Sequence, residues 1–208
     1  MLKKISYMTA GESHGKGLIG IIEGIPAGMN ISEEYIEKDL IRRMQGHGRG
    51  GRMKIEKDHA EIFSGVRHAV TLGSPISLLI KNFDWVNWED RMATGKPKKE
   101  HRKVSMPRPG HADLAGVMKY GLDDIRNVLE RSSARETAMR VAIGAVCRKL
   151  LEEVGITVGS RVYQIHNIID TTIVDNDMNL KELNDTVDAS PVRCLDKDSE
   201  KKMMNVID

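Results

Sequence analysis

The sequence predicts one globular domain that mixes helices with short paired strands, and three observations carry that prediction. The chain has 208 residues with 40% apolar content, enough to bury a single core. Short β-branched runs stand on either side of a glycine loop near the start. Two segments, after Ser32 and after Ser133, carry helix caps followed by apolar residues at three- to four-residue spacing.

Taken in order, Lys4 to Thr9 and Leu18 to Glu23 read as strand, loop, strand around "GESHG" at Gly11 to Gly15. Ser32 caps a helix with Glu33 and Glu34 at its positive end and with Ile36, Leu40 and Met44 on one face. The glycines from Gly46 to Gly51 end it. Ala60 to Ser64 and Ile76 to Ile80 read as paired strands joined through Gly73-Ser74-Pro75. Residues 82–110 hold no sustained period, which predicts a long, mobile, basic loop of the kind that serves as a lid. Helical spacing returns from His111 to Glu130 with a break at Gly121. Ser133 and Glu136 predict a capping box, Met139, Ile143, Val146 and Leu150 a buried stripe, and Gly155 the stop. Gly144 inside that helix costs about 1 kcal/mol relative to alanine, which predicts close backbone packing there. "ITVGSRVYQIHNI" reads as strand. Ser199 to Asp208 opens a helix whose apolar residues find no partner in what remains, so a chain cut short is expected.

A formal charge of +2 and 4% aromatic residues argue against wholesale nucleic-acid binding. Charge is segregated instead: Arg42 to Lys57 carries six basic residues against one acid, and Arg91 to Arg108 seven against one. Two basic segments suit a small anionic ligand, and a solvated basic face is the plain alternative. Cys147 and Cys194 are too few and too far apart for a disulfide framework, which favours a reducing, cytoplasmic compartment. No stretch has the length and apolarity of a membrane span, and none has the form of a signal peptide.

Among the motifs, "GESHG" offers two readings. Ser13 in a G-x-S-x-G pattern could be a hydrolase nucleophile, but that geometry needs a helix directly after the serine, and Lys16 to Met29 is poor helix material. His14 can give or take a proton at neutral pH on a loop where glycines let a ligand approach. His111 follows a Pro-Gly pair at a predicted helix start, and His47 sits in a glycine-rich basic turn; either can equally be an ordinary surface histidine. No histidine pair has a metal-binding spacing. "LERSSARETAMR" places Arg131 and Arg135 beside a capped helix start with Ser132 and Ser133. With Arg43, Arg49 and Arg52 this reads as the wall of a pocket for several anionic groups, against plain capping with solvated arginines.

"GESHG", "EGIPAG", "GRGGRMKIE", "RPGHADL" and "RSSARET", in this order and at these separations, resemble chorismate synthase from about residue 5 onward. The resemblance implies an α+β layered sandwich with helices packed between antiparallel β-sheets, assembled as a homotetrameric enzyme. The implied reaction is 1,4-elimination of phosphate from 5-enolpyruvylshikimate 3-phosphate to give chorismate, the last step of the shikimate pathway, with reduced FMN required. It implies His14 and His111 as the acid–base histidines, the first for the departing phosphate and the second beside the flavin. It also implies Arg43, Arg49, Arg52 and Arg135 on the substrate, and Arg131, Ser132 and Ser133 on FMN. Whether NADPH reduces the flavin on the same protein is left open. The family's chain continues well beyond Asp208, so these 208 residues are expected to form half a site, with weak FMN affinity and no turnover alone.

Overall fold

The computed structural model describes residues 4–50, 57–175 and 178–208. Strands β1 (Ser6–Gly11) and β2 (Gly17–Glu23) pair antiparallel, with Gly11 opposite Leu18 and Ser6 opposite Glu23. Helix α1 (Glu33–Met44) follows, its Ser32 Oγ accepting from the Tyr35 N–H as the cap requires. Strand β3 (Glu61–Ser64) pairs with β6 (Ile76–Lys81), with a register shift between Ile62 and Ser64. Between them lies a small hairpin of β4 (Val66–Arg67) and β5 (Val70–Thr71), which the sequence reading did not anticipate. The resulting sheet runs β1-β2-β6-β3, antiparallel throughout.

One face of this sheet is the core. Leu18, Gly20, Ile22, Ile76, Leu78 and Ile80 alternate with exposed or half-buried positions, as period two demands, and they meet Met139, Ile143 and Val146 of α4 (Thr137–Glu153). Burying each such large aliphatic side chain contributes about 1.5–3 kcal/mol. Gly20 is where the helix comes closest: a Cβ there would lie 2.5 Å from Met139 Sδ. The close approach predicted at Gly144 is absent, since a Cβ on that residue would meet nothing within 4 Å. Helix α1 packs beside α4 through Ile36 and Leu40, locked at the rim by Arg148 on Asp39 at 2.8 Å. The described residues thus hold one sheet layer and one helix layer of an α+β arrangement.

The segment after β6 opens with a 3₁₀ turn (Phe83–Asn87) and then runs irregularly to α2 (Asp113–Tyr120), α3 (Arg126–Leu129) and a second 3₁₀ turn (Ala134–Glu136). It is cross-tied by Asp90, which accepts from the Lys98 N–H at 2.6 Å and pairs with His101 at 2.8 Å. The capping box expected at Ser133 forms only by half: Ser133 caps the 3₁₀ turn, while Glu136 accepts from Thr9 Oγ1 at 2.6 Å and Arg140 Nε at 2.8 Å instead. "ITVGSRVYQIHNI" is a strand only over the two-residue ladder of β7 (Gln164–Ile165) with β8 (Ile168–Ile169).

Helix α5 (Leu180–Asp188), absent from the sequence reading, precedes α6 (Lys197–Ile207). The last helix does find a partner: Met203 is fully buried against Val192, Cys194, Val162, Ile165 and Ile168 in a second small core. Asp170 staples that core by accepting from the Leu195 N–H at 2.7 Å beside Arg161 at 3.0 Å. Among the described residues no helix is long and apolar enough to cross a membrane.

Candidate active site

The loop between β1 and β2 presents His14, and four separated segments fix it. Gly11 adopts φ of +117°, and a Cβ there would lie 2.5 Å from the Gly17 carbonyl oxygen, so the loop's entry needs glycine. Asn82, just after β6, donates its amide to the Glu12 and Gly15 carbonyls at 3.1 and 2.8 Å. Glu130, at the end of α3, takes the rest. Its backbone oxygen accepts from the Ser13 N–H at 2.9 Å, and its carboxylate accepts from the His14 N–H at 2.9 Å. The same carboxylate stands 3.0 and 2.9 Å from His14 Nδ1. Arg126 adds a bond to it at 3.0 Å.

Glu130 has 1% of its side chain exposed. Burial pushes its carboxyl up, but the bonds from the His14 ring and backbone and the nearby Arg126 charge outweigh that, leaving it below its ordinary value and ionised. Above His14, Trp88 stacks at 3.9 Å between ring centroids, with Arg91 and Arg126 over the indole at 5.3 and 5.1 Å. Trp88 belongs to the segment read as a lid, and in the folded chain it covers the histidine. Sequence reasoning missed both Glu130 and Trp88 as site residues. The motif "LERSS" contained the first, but nothing local says that its acid meets a loop 116 residues away.

His111 has a separate carboxylate. Its Nδ1 bonds Asp113 Oδ1, and Asp113, with no exposed side-chain surface, also accepts from the Arg108 Nε and backbone N–H at 2.9 and 3.0 Å. The Arg108 hydrogen bond holds the Asp113 carboxyl far below the usual carboxylate range despite burial, with a further contribution from His111. Helix α2 packs against α3 where Gly116 meets Val128, which links the His111 and His14 sites through two touching helices.

The arginines form a second layer around buried Asp58. Arg135, itself 5% exposed, pairs with Asp58 Oδ1, and its Nε donates to Asn82 Oδ1 at 2.9 Å, so it braces the loop that carries His14. Arg43 reaches Asp58 Oδ2 at 3.3 Å, Thr137 Oγ1 at 3.0 Å and the Ala134 carbonyl at 2.9 Å. Burial lowers the Arg43 pKa; Asp58 opposes this, and the charges of Arg135 and Arg49 add to it. Arg49 bonds the Gln45 carbonyl at 2.9 Å, and Arg43 and Arg49 line a groove of about 630 Å³ along α4 with Arg140, Arg148 and Arg193. Arg52 lies outside the described residues. His47 pairs with Asp208 at 2.8 Å.

Arg131 lies across β1, donating to the Thr9 carbonyl at 2.9 Å and Thr9 Oγ1 at 2.8 Å, with Glu136 3.4 Å from its second nitrogen. That nitrogen is buried against the Glu136 carboxylate, while 40% of the side chain stays exposed to an anion. Ser133 Oγ serves as an acceptor for the Arg135 N–H, which leaves its own O–H to donate, whereas Ser132 Oγ already donates to the Val128 carbonyl at 2.6 Å. Ser13 is 2% exposed and is followed by a strand, so the strand–serine–helix turn of a hydrolase nucleophile is not formed.

Residues 5–208 match the family model for chorismate synthase. Chorismate synthases of Listeria welshimeri and Syntrophomonas wolfei are 53% and 54% identical over 205 residues, covering 97% and 98% of this chain and 52% of each relative. Chorismate synthase 2 of Bacillus cereus is 51% identical over 207 residues. A crystal structure of chorismate synthase superposes with a TM-score of 0.75 at 39% identity, covering 99% of this chain and 53% of that one. The chain spans about half the length of the curated relatives it matches. From residue 5 to its last residue, this chain belongs to the chorismate synthase family.

Proposed function

We propose that the chain supplies the acid–base and anion-binding part of an enzyme that eliminates phosphate from 5-enolpyruvylshikimate 3-phosphate to give chorismate. The observation that carries this reading is His14, clamped between a buried carboxylate and an indole, on a loop braced by the Asp58–Arg135–Asn82 chain. A histidine held so firmly, with 20% of its side chain still exposed, suits directed proton transfer to a departing phosphate oxygen. Arg43 and Arg135 share one aspartate, which leaves a net positive charge to attract phosphate and carboxylates, and Arg49 lines the same groove as Arg43. Arg52 is assigned to the substrate by the family resemblance alone. His111, oriented by Asp113, is the second acid–base group.

Reduced FMN, when bound, would supply the transferable electron density that cleavage of the allylic C–O bond calls for. Arg131, through the exposed part of its guanidinium, and Ser133, through its hydroxyl, would hold it, with Ser132 alongside. NADPH as reductant, a cytoplasmic location and a homotetramer belong to the same reading. Trp88 and its segment would exclude water from the reacting groups.

The test is chorismate and phosphate release from this substrate with anaerobically reduced FMN. It is run on the 208-residue chain and on a chimera in which this chain replaces the matching half of the Listeria welshimeri relative. The chimera should turn over, and His14→Ala should cut its kcat by roughly 10²–10⁴-fold. No chorismate from the chimera, beside an active Listeria protein, would overturn the reading.

A further inference from the structure

We propose that Glu130 is the positioning residue that fixes His14 as its Nδ1–H tautomer and so makes Nε2 the nitrogen through which His14 exchanges protons. The geometry leaves little freedom. Both Glu130 oxygens lie within 3.0 Å of Nδ1, and one of them also accepts the His14 backbone N–H, so ring and main chain are held by a single carboxylate. An ionised carboxylate can only accept hydrogen bonds, so the nitrogen facing it must carry the hydrogen. Arg126 bonds the other side of the same group at 3.0 Å and keeps it from turning away. The Trp88 stack at 3.9 Å fixes the plane of the ring, and the Ser13 N–H on the Glu130 carbonyl fixes its root. These contacts point Nε2 away from the carboxylate.

The proton balance follows, and here the inference rests on the function proposed above. The imidazolium carries hydrogens on both nitrogens. The Nε2 hydrogen passes to the departing phosphate oxygen, the bond pair returns to Nε2, and the ring is left neutral with Nδ1–H still on Glu130. Without the carboxylate, neutral His14 would distribute its hydrogen over both nitrogens and the active orientation would be diluted.

The imidazole ¹⁵N spectrum of the uniformly labelled 208-residue chain decides the tautomer with no substrate or flavin present. At a pH where His14 is neutral, Nδ1 should resonate as a pyrrole-type nitrogen and Nε2 as a pyridine-type one, with His14→Asn supplying the assignment. In Glu130→Gln the Nε2–H form should rise, while Glu130→Asp should keep the wild-type pattern in part. A wild-type spectrum dominated by Nε2–H, or a folded Gln variant with unchanged nitrogen shifts, would overturn the proposal. Should the Gln variant fail to fold, the wild-type spectrum decides alone. In the chimera, Glu130→Gln should lower kcat by roughly 10²–10⁴-fold with little change in KM. An inactive chimera with the expected spectrum would reject the lyase reading and leave the tautomer assignment standing.

Discussion

His14 and His111 share a carboxylate–arginine pairing and have opposite architectures. Each turns Nδ1 toward a buried carboxylate, and each carboxylate is also held by an arginine, Arg126 in one case and Arg108 in the other. The His111 partner, Asp113, is two residues along the chain, at the first turn of α2, where a carboxylate also complements the helix dipole. The His14 partner is 116 residues away and reaches it only because β1, β2, α3 and the segment after β6 converge. A local pair can form with its helix, whereas a long-range pair inherits the stability of the whole fold and the loop-closure cost that goes with it. The two histidines should therefore respond differently when the scaffold is weakened.

The largest separation should come from Asp58→Ala. It leaves Arg135 and Arg43 without their buried counter-charge, and removing one partner of a buried pair costs about 3–5 kcal/mol. Arg135 also holds Asn82, which holds the "GESHG" loop, so exchange of the His14 amide, bonded to Glu130, should accelerate in urea well before that of the His111 amide, bonded to the Arg108 carbonyl. Equal acceleration at both would show that the two sites share one cooperative unit. Trp88→Ala comes next. The stack and the two guanidinium contacts on the indole are worth about 1–3 kcal/mol together, and their loss should broaden the His14 ring signals while leaving those of His111 in place.

The sequence was most legible where one short segment contains its own explanation. Strands β1, β2 and β6 and the helix after Ser32 follow from period and cap, and "GESHG" pointed to His14. What stayed hidden was long-range. Glu130 looked like one acid in a basic motif, and Trp88 like a ring in an unstructured stretch; their roles exist only once distant segments meet. Glu136 completed a capping-box pattern, yet Thr9 and Arg140 won its carboxylate, because the side-chain partners lay within reach of a helix start that opens as a 3₁₀ turn. The last helix was misjudged for the same reason, since its partners Val162, Ile165 and Ile168 sit in a segment whose spacing suggested a lone strand.

Asp113→Asn tests the local pair and gives a pH signature. The Asp113 carboxyl is depressed in the folded chain, so its charge stabilises the fold above the ordinary carboxylate pKa, and that contribution fades as pH falls toward the folded value. Wild type should exceed Asn by about 1.5–3 kcal/mol near pH 7, the worth of charged hydrogen bonds, and the gap should begin to narrow below about pH 4. A gap that stays constant down to pH 3 would mean that shape, not charge, holds His111.

The smallest effect separates chain stability from both sites. Gly144→Ala places a methyl where nothing lies within 4 Å, in a helix whose backbone angles alanine accepts, so it should stabilise the chain by about 0.5–1 kcal/mol in urea unfolding. Gly20→Ala, one layer away, would drive its methyl into Met139 and should destabilise, which makes the pair a check on where α4 approaches its neighbours. Because Gly144 touches neither carboxylate, its alanine variant should leave the ring nitrogen signals of His14 and His111 unmoved while the midpoint rises. If His14 shifts with that midpoint, its pairing with Glu130 reports global stability, and the changes expected in the Trp88 variant would have to be rescaled by the same amount before being read as local.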